Sequence, residues 1–222
     1  MLRALLCALA VLSAPPAAAG EADGTCDTAL LLAIDVSNSV DESEYRLQID
    51  GLADALNDPD VSDALVVAQA AVAVLLWSGP REQLAAIPWQ QVAEPSDARL
   101  LSTRVRALPR PYVRSGTAPA EALLAALDLL AQAPPCGRHV VDVSGDGARN
   151  MGGPVARARD DAVAQGVTVN AIAIETVGHG VADFFRDELV TPGGFVMSAR
   201  GHRDYPRAIR EKILRELATP TG

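Results

Sequence analysis

The stretch Ala29–Tyr45, ALLLAIDVSNSVDESEY, changes character twice, and those changes decide the fold. Ala29 to Ile34 is a continuous apolar run ending in Asp35, the pattern of a strand buried on both faces. Such strands belong to parallel sheets covered by helices. Asp41, Glu42 and Glu44 then put negative charge into the first turn of a helix, and Tyr45, Ile49, Leu52 and Leu56 follow at helical spacing. Asn57, Asp58 and Pro59 stop it. The next apolar run, Ala70 to Trp77, ends at Ser78-Gly79-Pro80. The order strand, helix, strand predicts a crossover within one parallel sheet.

The same alternation continues to the C-terminus. Trp89 to Val92 reads as a short strand, and Ser96 to Leu108 as an amphipathic helix closed by Pro109 and Pro111. Pro119 opens an Ala/Leu helix to about Gln132, since a first-turn proline loses no hydrogen bond there. Pro134-Pro135 closes it. His139 to Val143 is a buried strand, Pro154 to Gln165 a helix, and Val167 to Ile174 a strand. Val181 to Leu189 reads as helix, Phe195 to Ser198 as a last short strand, and Tyr205 to Leu217 as the terminal helix. The expectation is an α/β fold: one doubly wound, mainly parallel, Rossmann-like sheet over residues 20–222 with helices on both faces and right-handed crossovers.

At the front, Arg3 precedes the apolar run Ala4 to Leu12, and Pro15, Pro16 and Ala17 to Ala19 supply a small-residue cleavage signal. Residues 1–19 therefore read as a signal peptide. A bilayer span needs about 20 apolar residues, and this run is half as long, so no membrane span is expected. Cys7 falls inside the leader. Cys26 and Cys136 remain, in a secreted or periplasmic, oxidising setting. Of the 222 residues, 19 are Lys or Arg against 28 Asp or Glu, a net charge of −9. That balance repels a phosphate backbone, so nucleic acid is not an expected partner. Lys212 is the only lysine, which excludes mechanisms that need one near a site in the first two hundred residues.

In doubly wound folds ligands bind beyond the carboxyl ends of the strands. The first strand leaves as Asp35-Val36-Ser37-Asn38-Ser39, the Ala/Leu helix is preceded by Ser115-Gly116-Thr117, and the strand from His139 leaves as Ser144-Gly145-Asp146-Gly147. Three loops thus offer hard oxygens that suit a divalent cation such as Mg²⁺, Mn²⁺ or Ca²⁺. The competing explanation is that Asp35, Ser37 and Ser39 only cap the following helix. His139, His179 and His202 are isolated and read as structural or surface residues. Asp142, inside a strand, needs a donor if buried, Trp77 reads as packing, and Arg149 and Asn150 as solvated loop residues beside the site.

At D-x-S-x-S (Asp35, Ser37, Ser39), Thr117 and Asp146 the sequence resembles the von Willebrand factor type A domain and its metal ion-dependent adhesion site. The resemblance spans the chain after the leader in element order. It implies that Ser37, Ser39 and Thr117 are hydroxyl ligands and that Asp35 and Asp146 hold the ion directly or through water. DVSNSVDESEY at Asp35, WSG at Trp77 and VSGDG at Val143 further resemble a bacterial family of secreted, functionally uncharacterised type A-like proteins. Gly145 departs from the pattern, standing where many members have threonine.

The resemblance implies a metal-dependent binding module that captures an exposed Asp or Glu of a protein partner, and not an enzyme. A phosphoesterase of the haloacid dehalogenase type would need a second acid where Ser37 stands, and usually a lysine near the phosphate. There is no P-loop and no G-x-S-x-G elbow. A metal-independent interaction scaffold is the third reading. If Asp35 and Asp146 meet at one ion, their strands are neighbours, as first and fourth strands are in the order 3-2-1-4-5-6. Cys26 and Cys136 precede those strands at matched distances, so a Cys26–Cys136 disulfide is expected.

Overall fold

The computed structural model describes residues 26–175 and 180–218; the leader expected at 1–19 and His179 lie outside the described residues. The chain runs β1 (Cys26–Asp35), α1 (Glu42–Asn57), α2 (Pro59–Val67), β2 (Ala71–Trp77), β3 (Gln83–Gln91), α3 (Pro95–Arg106), α4 (Pro119–Leu130), β4 (Cys136–Gly145), α5 (Val155–Ala164), β5 (Thr168–Ile174), α6 (Gly180–Phe184), β6 (Val196–Ala199) and α7 (Tyr205–Leu217). The sheet order is β3-β2-β1-β4-β5-β6. All neighbours are parallel except β2 and β3. The α/β expectation holds, and the point where the strand order reverses lies between β1 and β4.

Alternation along β1 explains why both faces must be covered. Leu30, Leu32 and Ile34 pack with α1, α3 and α7, whereas Ala29, Leu31 and Ala33 pack with α4 and α5. Full burial of each leucine contributes roughly 1.5–3 kcal/mol. α1 starts where its acidic turn predicts: the Asp41 carboxylate accepts from the Glu44 N–H, and the Glu44 carboxylate accepts from the Asp41 N–H.

Three departures from the sequence expectation go beyond a shift of a few residues at an element end. Asp58-Pro59 ends α1 but also starts α2, because the Asp58 carboxylate accepts from Asp60 and Val61 N–H groups and Pro59 takes the first helical position. β3 is longer than Trp89 to Val92. It is an antiparallel edge strand whose side chains are mostly exposed or half-buried and follow no regular alternation, and Pro88 is tolerated there. The helix expected from Val181 to Leu189 changes into a π turn at Phe185–Leu189. That turn buries both Phe185 and Leu189.

Cys26 and Cys136 stand opposite each other in the β1–β4 register and form a disulfide with a sequence separation of 110. Asp142, buried in β4, finds its donor in Lys212 of α7, 2.6 Å from its Oδ1. Lys212 also pairs with Glu216, whose Oε1 accepts from Asn170 Nδ2 at 2.8 Å. Two carboxylates thus share one ammonium. Burial pushes the Asp142 carboxyl above its usual range, Lys212 pulls it down, and Glu216 pushes it up again.

These covalent and ionic ties have measurable consequences. Alkylation of the denatured, unreduced chain from residue 20 onward will label no thiol, and Cys26→Ser with Cys136→Ser will lower stability by up to about 4.7 kcal/mol in urea unfolding. Lys212→Met will cost about 3–5 kcal/mol at neutral pH, because it strands two buried carboxylates. Asp142→Asn leaves a one-to-one Lys212–Glu216 pair. A carboxyl whose folded pKa is raised lends stability below its unfolded pKa and loses it as pH rises through the folded value. Urea unfolding should therefore show Asp142→Asn gaining on wild type as pH rises from the ordinary carboxylate range towards neutrality.

Candidate metal site

The carboxyl ends of β1 and β4 and the loop before α4 meet where the strand order reverses. Asp35, the last residue of β1, is fully buried; its Oδ1 accepts from the Ser37 N–H at 2.8 Å, and its Oδ2 has no hydrogen-bond partner. Ser37 Oγ lies 3.1 Å from Ser39 Oγ and 3.1 Å from Thr117 Oγ1. Ser39 Oγ donates to Asp146 Oδ1 at 2.6 Å. The five residues expected to converge do so. Asp35, Ser37 and Thr117 form a buried floor, and exposed Ser39 opens the cluster to solvent.

Burial raises the Asp35 carboxyl to about 7; the Ser37 N–H and hydroxyl lower it, Asp146 raises it and Arg110 lowers it. Among the described residues no three His, Cys, Asp or Glu side chains gather as a ligand set. Hydroxyl oxygens are therefore indispensable to any cation held here. Gly145 leaves the space that Asp35 uses, since a Cβ there would lie 3.2 Å from Asp35 Oδ2 and 3.2 Å from the Phe185 ring. A threonine at 145 would have to displace one of them.

Three supporting residues escaped the sequence reading. Asn150, expected as a solvated loop residue, accepts from the Thr117 N–H through Oδ1 at 2.8 Å, while the N–H groups of Asn150 and Met151 both donate to the Thr117 carbonyl at 3.1 Å. Arg110 Nη2 donates to the Ser37 and Val36 carbonyls at 2.9 and 3.2 Å, clamping the serine loop from outside. His202 is buried just before α7, with Nδ1 3.2 Å from Glu44 Oε1 and Nε2 3.9 Å from Asp146 Oδ2. None of the three has a local spacing that marks it. Only its place in a loop next to Gly-rich sequence hinted at Asn150. Trp77 is buried packing, as expected.

A family profile described as "Protein of unknown function (DUF1194)" matches residues 25–221. The chain belongs to the DUF1194 family. No curated protein matches it in sequence. Among solved structures, this DUF1194 protein is similar to proximal thread matrix protein 1 from the mussel byssus, with a TM-score of 0.64, 16% identity, and coverage of 86% of this chain and 48% of that one. It is also similar to a von Willebrand factor type A protein from Catenulispora acidiphila, with a TM-score of 0.61, 18% identity, and 87% and 42% coverage. The pilus adhesin SpaC from Lactobacillus rhamnosus GG aligns with a TM-score of 0.64, 11% identity, and 88% and 31% coverage. At such identities the likeness shows the fold, which is that of a von Willebrand factor A domain. This DUF1194 chain spans less than half the length of each of these three. A further structure of the mussel protein carries zinc in its metal ion-dependent adhesion site.

Asn150 gives a direct check on how the loops are held. Asn150→Ala will leave the Thr117 N–H without its acceptor and destabilise the fold by about 1–3 kcal/mol in urea unfolding. Asn150→Asp, which keeps an acceptor oxygen, should retain most of that stability.

Proposed function

We propose that this protein is a metal-dependent binding module in which Asp35, Ser37, Ser39, Thr117 and Asp146 hold one divalent cation that a carboxylate of a protein partner completes. The observation that carries this reading is the buried Asp35 Oδ2, which lacks any donor in a cluster of hydroxyl and carboxylate oxygens. Buried polar atoms are nearly always satisfied, and a charged one left alone is costly. A cation beside that oxygen removes the cost. The set is wholly oxygen, which fits Mg²⁺, Mn²⁺ or Ca²⁺ better than a soft metal. Serine and threonine hydroxyls leave such an ion less neutralised than carboxylates would, so its chemistry is attraction of an anionic ligand.

The chain's own residues prepare the site. Asn150 and Met151 fix the Thr117 backbone, Arg110 fixes the Ser37 loop, and His202 flanks Asp146. The matrix protein and the pilus adhesin among its structural neighbours support an interaction role. The leader expected at residues 1–19 would deliver the module to the periplasm or outside the cell. A phosphoesterase gains no support: Ser37 stands where the acid should be, and Lys212 is buried with Asp142 and Glu216.

Titration calorimetry with Mg²⁺, and in parallel with Mn²⁺, Ca²⁺ and Zn²⁺, should give one site on the wild-type protein. Thr117→Ala should weaken it at least tenfold, and Asp35→Ala with Asp146→Ala should abolish it. Unchanged binding in the double variant would refute the ligand assignment.

A further inference from the structure

The loops on the Thr117 side of the cluster carry four arginines, of which the metal reading uses only Arg110. Arg81 lies in the turn between β2 and β3, Arg110 and Arg114 in the loop before α4, and Arg149 in the loop after β4. Contacts tie these loops to the site. The Asn38 N–H donates to the Ser115 carbonyl beside Arg114; Arg81 and Ser115 line one cavity of about 420 Å³; and Arg149 precedes the Asn150 that holds Thr117. None of the four has a carboxylate within 4 Å among the described residues, a condition they share with seven other arginines; what sets them apart is that their loops meet at the cluster. The acidic side chains of this sector are turned to backbone and hydroxyl donors: Glu82 Oε2 accepts from the Gly79 N–H, Glu121 Oε1 from the Gly153 N–H, and Asp146 Oδ1 from the Ser39 hydroxyl.

Two further features mark the sector as a surface that meets something. Arg114 sits at φ 62, one of two non-glycine residues with positive φ among those described, a conformation a long side chain seldom adopts. Val113 and Met151 beside it are 67% and 47% exposed. In a chain of net charge −9, self-repulsion would favour acidic residues here as elsewhere. Instead the ion-facing loops present cations interleaved with apolar side chains.

Resting on the metal-dependent reading above, we propose that this sector is the specificity surface of the module. It takes an acidic, partly apolar polypeptide segment in which one carboxylate reaches the ion and neighbouring carboxylates pair with Arg81, Arg114 and Arg149 around Val113 and Met151. A polyanionic glycan would satisfy the arginines but leave the apolar side chains uncovered, so the segment is protein. Rim ion pairs contribute little singly. Two or three together give roughly a tenfold preference.

The test uses fluorescence anisotropy on the Mg²⁺-loaded protein with three labelled probes: a Gly/Ser peptide with one Asp, a peptide of equal length with that Asp followed by Glu-Glu-Leu, and an oligogalacturonate. The multi-acid peptide should bind roughly ten times more tightly than the single-acid peptide, and more tightly than the glycan. The preference should shrink to about twofold in Arg114→Glu with Arg149→Glu, while that variant binds Mg²⁺ as wild type does. Equal affinity for both peptides, with chelator abolishing each, overturns the surface and leaves the metal reading standing. Tighter binding of the glycan overturns the polypeptide occupant. Binding of the peptides unchanged by chelator, or no binding of either peptide, counts against the metal reading itself, and the surface falls with it.

Discussion

Everything at this site depends on two carboxylates being held at neighbouring strand ends in a place where water cannot screen them. Asp35 ends β1 and Asp146 follows β4, and the β1–β4 pairing brings them to one point. Burial raises the cost of ionising Asp35, and the Asp146 carboxylate adds to it. The surrounding hydroxyls and the Ser37 N–H offset part of that cost, but Asp35 Oδ2 is left without a donor. The site is therefore built around an unmet electrostatic demand, and its hydroxyl-rich composition shapes which ligand can meet it.

Around this demand the molecule is fastened from below and from the side. The disulfide ties the amino ends of β1 and β4, so the same pair of strands is fixed at the edge opposite the site. Lys212 binds α7 to β4 through Asp142, and the π turn packs Phe185 under Gly145. These fastenings use residues that in sequence look like candidates for chemistry. The only lysine is spent on packing, and Cys26 and Cys136 are spent on each other.

The supporting contacts also explain why the loops of this cluster are not interchangeable. Asn150 and Met151 satisfy both polar groups of the Thr117 backbone, and Arg110 reaches from the loop before α4 to the serine loop after β1. Displacing one loop would disturb the next. The cost of ordering these side chains is thus met on folding.

By itself the sequence determined the class of the fold and which residues gather at the carboxyl ends of β1 and β4. Apolar runs such as Ala29 to Ile34 are buried wherever they go, and residues leaving parallel strands must gather at one edge, so Asp35, Ser37, Ser39, Thr117 and Asp146 could be named from spacing, element order and resemblance. The strand order and the Cys26–Cys136 pairing followed from the same geometry. Tertiary structure alone decided the rest. β3 carries no period because it is an exposed edge strand, and the Asp58-Pro59 pair serves as a stop and a start at once. Asn150, Arg110 and His202 act through contacts across distant loops, where hydrogen-bond geometry and not local pattern selects the residue. Asp142 announced in sequence only that it needed a donor; that the donor is Lys212, some seventy positions away, is a fact of packing, because a buried charge accepts whatever partner the fold delivers.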